Sequence, residues 1–131
     1  MNIDELIDQF VVMIDPAGAV FRRIESAPWI DAFEARLPKR LPVSFRSLVT
    51  RYAFPPVDLG RLSLFANQGI DSQDELSVAI FKDQFIADAT LKAGYIQFAR
   101  PQSGSYDPIC FDLRPFDRTL CFCPRGKGAS L

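Results

Sequence analysis

The stretch that most constrains the fold is Gly94-Tyr95-Ile96-Gln97-Phe98-Ala99, a loop, and then Asp107-Pro108-Ile109-Cys110-Phe111-Asp112-Leu113. It reads as two short strands joined by a polar turn. The connection from Arg100 to Pro108 is rich in Pro, Ser and Gly, as loops are. The second strand holds Asp112 inside an apolar run. A buried carboxylate costs stability unless it is paired or hydrogen-bonded, so Asp112 calls for a backbone partner or an arginine such as Arg100 or Arg114. Asp107 sits at the turn, where an aspartate side chain bonds its own backbone.

Helical periodicity accounts for much of what precedes the hairpin. Ile3, Leu6, Ile7, Phe10, Val11 and Ile14 recur on one face of a 3.6-residue repeat over residues 3–14. Asn2 and Glu5 have the spacing of a capping box, and Asp15-Pro16 with Gly18 ends the helix. A second helix is predicted after Pro28, with Ile30, Phe33 and Leu37 on its buried face and Pro38 closing it. A third begins at Pro42, buries Leu41, Phe45, Leu48, Val49 and Tyr52, and stops at Phe54-Pro55-Pro56.

Beyond these helices, Arg61–Ala66 reads as a strand and Asn67-Gln68-Gly69 as a turn. Residues 74–92 admit two readings. Leu76, Ile80 and Phe81 form a short helical stripe, with Asp83 capping a second helix around Phe85, Ile86 and Ala89; Val78, Ile80 and Phe81 also suit a strand. Lys92-Ala93-Gly94 reads as a helix exit with glycine in the left-handed position. Thr119–Cys123 suits another strand, and residues 124–131 a frayed end. At 131 residues the chain is one domain, 1–131.

Chemistry is limited by what is missing. The chain has no histidine, the commonest general base and metal ligand, so no Ser-His or Cys-His nucleophile can be built. Its three cysteines, Cys110, Cys121 and Cys123, fall short of a structural zinc set and read as buried free thiols in a reducing cytoplasm. No cofactor motif is present: Gly126-Lys127-Gly128 lacks the upstream glycine of a phosphate loop. A net charge of −1 and no dense basic stripe argue against nucleic acid, and no apolar run suits a membrane span. Asp107 and Asp112 are the one carboxylate pair worth weighing as acid and base, and a structural role is the stronger reading. Trp29 reads either as an exposed anchor or as a staple between helices. Twelve phenylalanines point to an aromatic core or a partner-facing patch.

The order of these motifs resembles the SUKH superfamily, which includes fungal cell-wall regulators of the Smi/Knr type. The resemblance covers residues 20–115. It rests on a helix with Ile30, Phe33, Glu34 and Leu37, then Leu41-Pro42-x-Ser44-Phe45-Arg46-x-Leu48, the Leu62–Phe65 strand and the hairpin above. It implies an α+β domain with helices packed on a mixed, largely antiparallel sheet, and no catalytic centre, metal or cofactor. Many bacterial members are immunity proteins that neutralise a toxin encoded nearby by covering its active site. Other members are regulators or scaffolds.

The expectation is therefore a cytoplasmic, non-enzymatic binding protein of the immunity type. A regulatory scaffold of the Smi/Knr type and a small-ligand sensor or enzyme using Asp107 and Asp112 are the alternatives. Trp29, Tyr52, Arg100 and Tyr106 are the candidate partner-binding residues. Family members usually continue past the Asp-Leu strand with a further strand and helix, whereas residues 124–131 form a basic tail. The expectation is a frayed or truncated end and a sheet face left open or covered by a second copy as a homodimer. The near-neutral charge also departs from the acidic excess that suits a basic nuclease target.

Overall fold

The computed structural model describes residues 2–102 and 107–112. Tyr106, Cys121, Cys123, the Thr119–Cys123 strand and the 124–131 tail lie outside them. Helix α1 (Ile3–Ile14) begins with the expected capping box: the Asn2 side chain accepts from the Glu5 backbone N–H at 2.9 Å, and the Glu5 carboxylate accepts from the Asn2 N–H at 3.0 Å. Its apolar face is only partly covered. Val11 is buried and Ile7, Phe10 and Ile14 pack on the core, but Ile3 and Leu6 stay exposed. Periodicity identifies a face; a neighbour must still cover all of it.

Ionic contacts hold α1 against α3 (Val43–Arg51) and the strand residue that follows. Arg51 donates to Asp8 at 2.5 Å, the Tyr52 hydroxyl donates to Asp8 at 2.8 Å, and Ser47 donates to Asp4 at 2.6 Å. Burial pushes the Asp8 carboxyl up. The hydrogen bonds from Tyr52 and Arg51, with the charges of Arg51 and Arg23, outweigh it and hold the group below its ordinary value.

Asp15 closes α1 and then organises the next turn. Its carboxylate accepts from the backbone N–H groups of Ala19, Val20 and Phe21 at 3.1, 2.9 and 2.8 Å. Those bonds, from Phe21 and Val20 first, keep its pKa below the usual 3.8. A carboxylate with a lowered folded pKa stabilises the fold above its unfolded pKa and loses that contribution as pH falls through the folded value. Asp15→Asn is therefore expected to lower Tm clearly at pH 7, by an amount that narrows progressively as pH falls below the ordinary carboxylate range, as thermal melts across acidic pH would show. A gap independent of pH would contradict the account.

Helix α2 (Ile30–Ala35) buries Ile30 and Phe33, and Leu37 follows just beyond it. Glu34 explains the Leu-Pro-x-Ser-Phe-Arg element physically. Its carboxylate accepts from the Leu41 N–H and from Arg46 Nε, both at 3.0 Å, which ties α2 to the start of α3.

Two sheets complete the α+β architecture. The small one pairs β1 (Arg22–Arg23) antiparallel with β2 (Tyr52–Ala53). The larger one comprises β3 (Val57–Asp58), β4 (Leu62–Leu64), β5 (Tyr95–Pro101) and β6 (Ile109–Asp112), in that order and antiparallel throughout. The expected hairpin is β5–β6. Gln97 pairs with Cys110 and Ala99 with Ile109, so Phe98 is the extra residue of a bulge. The bulge lets Phe98 and Ala99 both contribute to the main core. There Phe98 stacks on Phe111 with centroids 4.1 Å apart, and Phe45 packs on both rings.

Residues 76–93 are helical rather than extended, which settles the open alternative. A π-helical stretch, Val78–Lys82, leads to α4 (Gln84–Thr90), and Asp83 caps α4 by accepting from the Ile86 N–H at 3.2 Å. The buried stripe of α4 is Ile86, Ala87 and Thr90; Phe85 is exposed, contrary to expectation. Gly94 leaves the helix with φ +93°, in the left-handed region. No described helix is long and apolar enough to cross a membrane.

Two findings in the hairpin correct the sequence reading. Cys110 is disulfide-bonded, not a free thiol, and its partner lies outside the described residues. Spacing along the chain does not reveal which sulfurs meet. The deeply buried polar residue of the hairpin is Gln97, at 0% exposure, whereas Asp112 is half-buried. Neither end of the Gln97 amide has a hydrogen-bond partner among the described residues. An unsatisfied buried amide costs about 1–3 kcal/mol, and an apolar side chain of similar shape avoids that cost. Gln97→Met is accordingly expected to raise stability by about 1–2 kcal/mol in urea unfolding; a loss of stability would mean that the amide is satisfied in solution.

Candidate cleft bordered by Trp29, Arg22 and Arg36

A cleft of about 440 Å³ opens between α2, the β1–β2 pair and the segment from Asn67 to Ser77. That size is within the range of ligand-binding pockets. Pro28 and Trp29 turn the chain into α2, and the Trp29 ring stands edge-on to Phe33 at 5.4 Å, forming an aromatic wall. Ile24, Ala53 and Leu76 continue the apolar lining.

The floor is built by two buried polar residues. Asn67 is 8% exposed, and its side chain accepts from the Phe54 N–H at 2.9 Å while donating to the carbonyls of Tyr52 and Val49 at 2.9 and 3.2 Å. It therefore secures the end of α3, β2 and Phe54 at once. Glu75, 3% exposed, accepts from the Gly69 N–H at 2.7 Å. Ala66 and Leu76 hold the segment by backbone bonds, Ala66 donating to Asp74 and Leu76 to Ala66, both at 2.8 Å. Gly69 has φ +77°, a conformation that favours glycine at the sharp return of this turn.

The cationic groups come from separate elements. In β1, successive side chains point to opposite sides. Arg23 lies 3.9 Å from Asp8 and over the Tyr52 ring, and Arg22 borders the cleft. Arg36, at the end of α2, lies with its guanidinium carbon 3.8 Å from the centroid of Phe81. Neither Arg22 nor Arg36 has a carboxylate partner among the described residues. The chemistry on offer is an apolar wall, two arginines and one buried carboxylate.

Of the sequence-chosen candidates that lie among the described residues, Trp29 alone borders this cleft. Tyr52 is buried and its hydroxyl is committed to Asp8, so it belongs to the α1–α3 contact. Arg100 borders a separate recess of about 220 Å³ with Lys82 and Asp83, and its guanidinium carbon lies 5.0 Å from the Phe65 centroid. Asp107 and Asp112 are half-buried and border neither opening. Arg22, Arg36, Asn67 and Glu75 escaped the sequence reading. The one signal for Arg22 was its place beside Arg23 between Phe21 and Ile24, an alternation that sends adjacent charges to opposite faces. Among the described residues no group of His, Cys, Asp and Glu could hold a metal ion. Comparison of the chain with family models, with curated proteins and with solved structures finds no match.

Proposed function

We propose that this protein is a non-catalytic binding protein that receives part of a partner protein in the Trp29 cleft. The supporting observation is the combination of Trp29 with two arginines, Arg22 and Arg36, that have no carboxylate partner among the described residues, around an apolar depression. Tryptophan and arginine are the side chains most enriched at binding hot spots, and a depression admits an anchor from the partner. The resemblance to SUKH proteins narrows the reading to an immunity protein that neutralises a toxin encoded beside it by occlusion. An inhibitor of this kind covers on the order of 1,600 Å² in total, so the cleft is the anchor of a wider contact.

Co-expression with the product of the neighbouring gene tests the reading. Toxicity of that product alone and survival in the presence of this protein are expected. A harmless product, or a toxic one that is not neutralised, would remove the immunity reading. The compartment is not carried by the same observation: the cytoplasmic expectation meets a disulfide at Cys110, and such bonds persist mainly in oxidising compartments.

A further inference from the structure

We infer that the Trp29 cleft selects an acidic side chain of the partner, aspartate or glutamate, carried next to an apolar side chain. The inference rests on the cleft being the binding surface and names the chemistry of what enters it. Charge is the first argument. Arg22 and Arg36 border the opening against a single carboxylate, Glu75, which already accepts from the Gly69 N–H. Arg23, Arg46 and Arg51 each have an acidic partner within the fold: Asp8 for Arg23, Glu34 and Asp31 for Arg46, Asp8 and Asp4 for Arg51. Arg22 and Arg36 have no such partner among the described residues, and unlike Arg40 and Arg61 they border the cleft, where charge from outside can meet them.

Geometry is the second argument. The guanidinium fork matches a carboxylate with two parallel hydrogen bonds, and Arg36 is already steadied by lying over Phe81. The apolar wall of Trp29 and Phe33 lies in the same depression, so the side chain next to the carboxylate has a place to bury. The rival is Glu75, which would draw a lysine or arginine of the partner.

Trp29 is the only tryptophan of the chain, so its emission reports occupancy of the cleft directly. The probes are acetyl-Gly-Phe-Glu-Gly-amide, its Gln and Lys counterparts, and acetyl-Gly-Gly-Phe with a free carboxylate. The Glu peptide is expected to shift Trp29 emission saturably, and a response to the free-carboxylate peptide alone would overturn the side-chain assignment. The Gln and Lys peptides are expected to leave it unchanged at the same concentrations. The double variant Arg22→Gln/Arg36→Gln, which alters two exposed side chains, is expected to weaken the response at least about tenfold, the loss of one charged hydrogen bond. Equal response to Glu, Gln and Lys peptides, or preference for Lys, would overturn the carboxylate inference and leave the cleft as the binding surface. No response to any peptide would overturn both.

Discussion

Asn67→Ala is expected to lower the unfolding free energy by about 3–5 kcal/mol, because it strips the partners from several buried backbone groups at once. The Phe54 N–H and the Tyr52 and Val49 carbonyls all bond the Asn67 side chain. Phe54 is 1% exposed and Val49 0%, so water has no easy route to replace the amide. Urea unfolding followed by far-UV circular dichroism measures the loss. A change in midpoint with an unchanged slope is the expected form. A loss below about 1 kcal/mol would show that the carbonyls rehydrate and that the cleft floor is softer than its hydrogen bonds imply.

Trp29→Ala is the second change with a large expected effect, and it acts on binding. Trp29 is half-buried and stands edge-on to Phe33, so part of its surface is free for a partner. Removing a hot-spot tryptophan typically costs about 2 kcal/mol or more, about a thirtyfold loss of affinity. Titration calorimetry with the neutralised partner checks this. Phe85→Ala, on α4, is the matched control: Phe85 is exposed and lies away from the cleft, and its loss is expected to leave affinity unchanged. Equal losses from both variants would argue against a localised anchor.

Much of the scaffold was legible in the sequence because local rules act locally. The capping box at Asn2, the proline that starts α3, the cap at Asp83 and the left-handed Gly94 all depend on residues a few positions apart. The cleft was not legible, for a physical reason. Asn67 looks like an ordinary turn residue until its partners 13 to 18 positions away are known. Asp15 looked like a helix stop, yet it is the carboxylate that collects three backbone N–H groups. Asp112, which drew attention because it interrupts an apolar run, is only half-buried; Gln97 on the facing strand is the buried polar group. Periodicity likewise overstated α1, because Ile3 and Leu6 share a face with Val11 that α3 does not fully cover.

That uncovered part of α1 supplies the sharpest contrast for the central claim. Amide hydrogen exchange of this protein, alone and with the product of the neighbouring gene, separates the two surfaces. The cleft account predicts slowed exchange across Trp29–Arg36 and Gly69–Leu76, with α1 unchanged. Slowed exchange confined to α1, with both cleft segments exchanging as in the free protein, would contradict it.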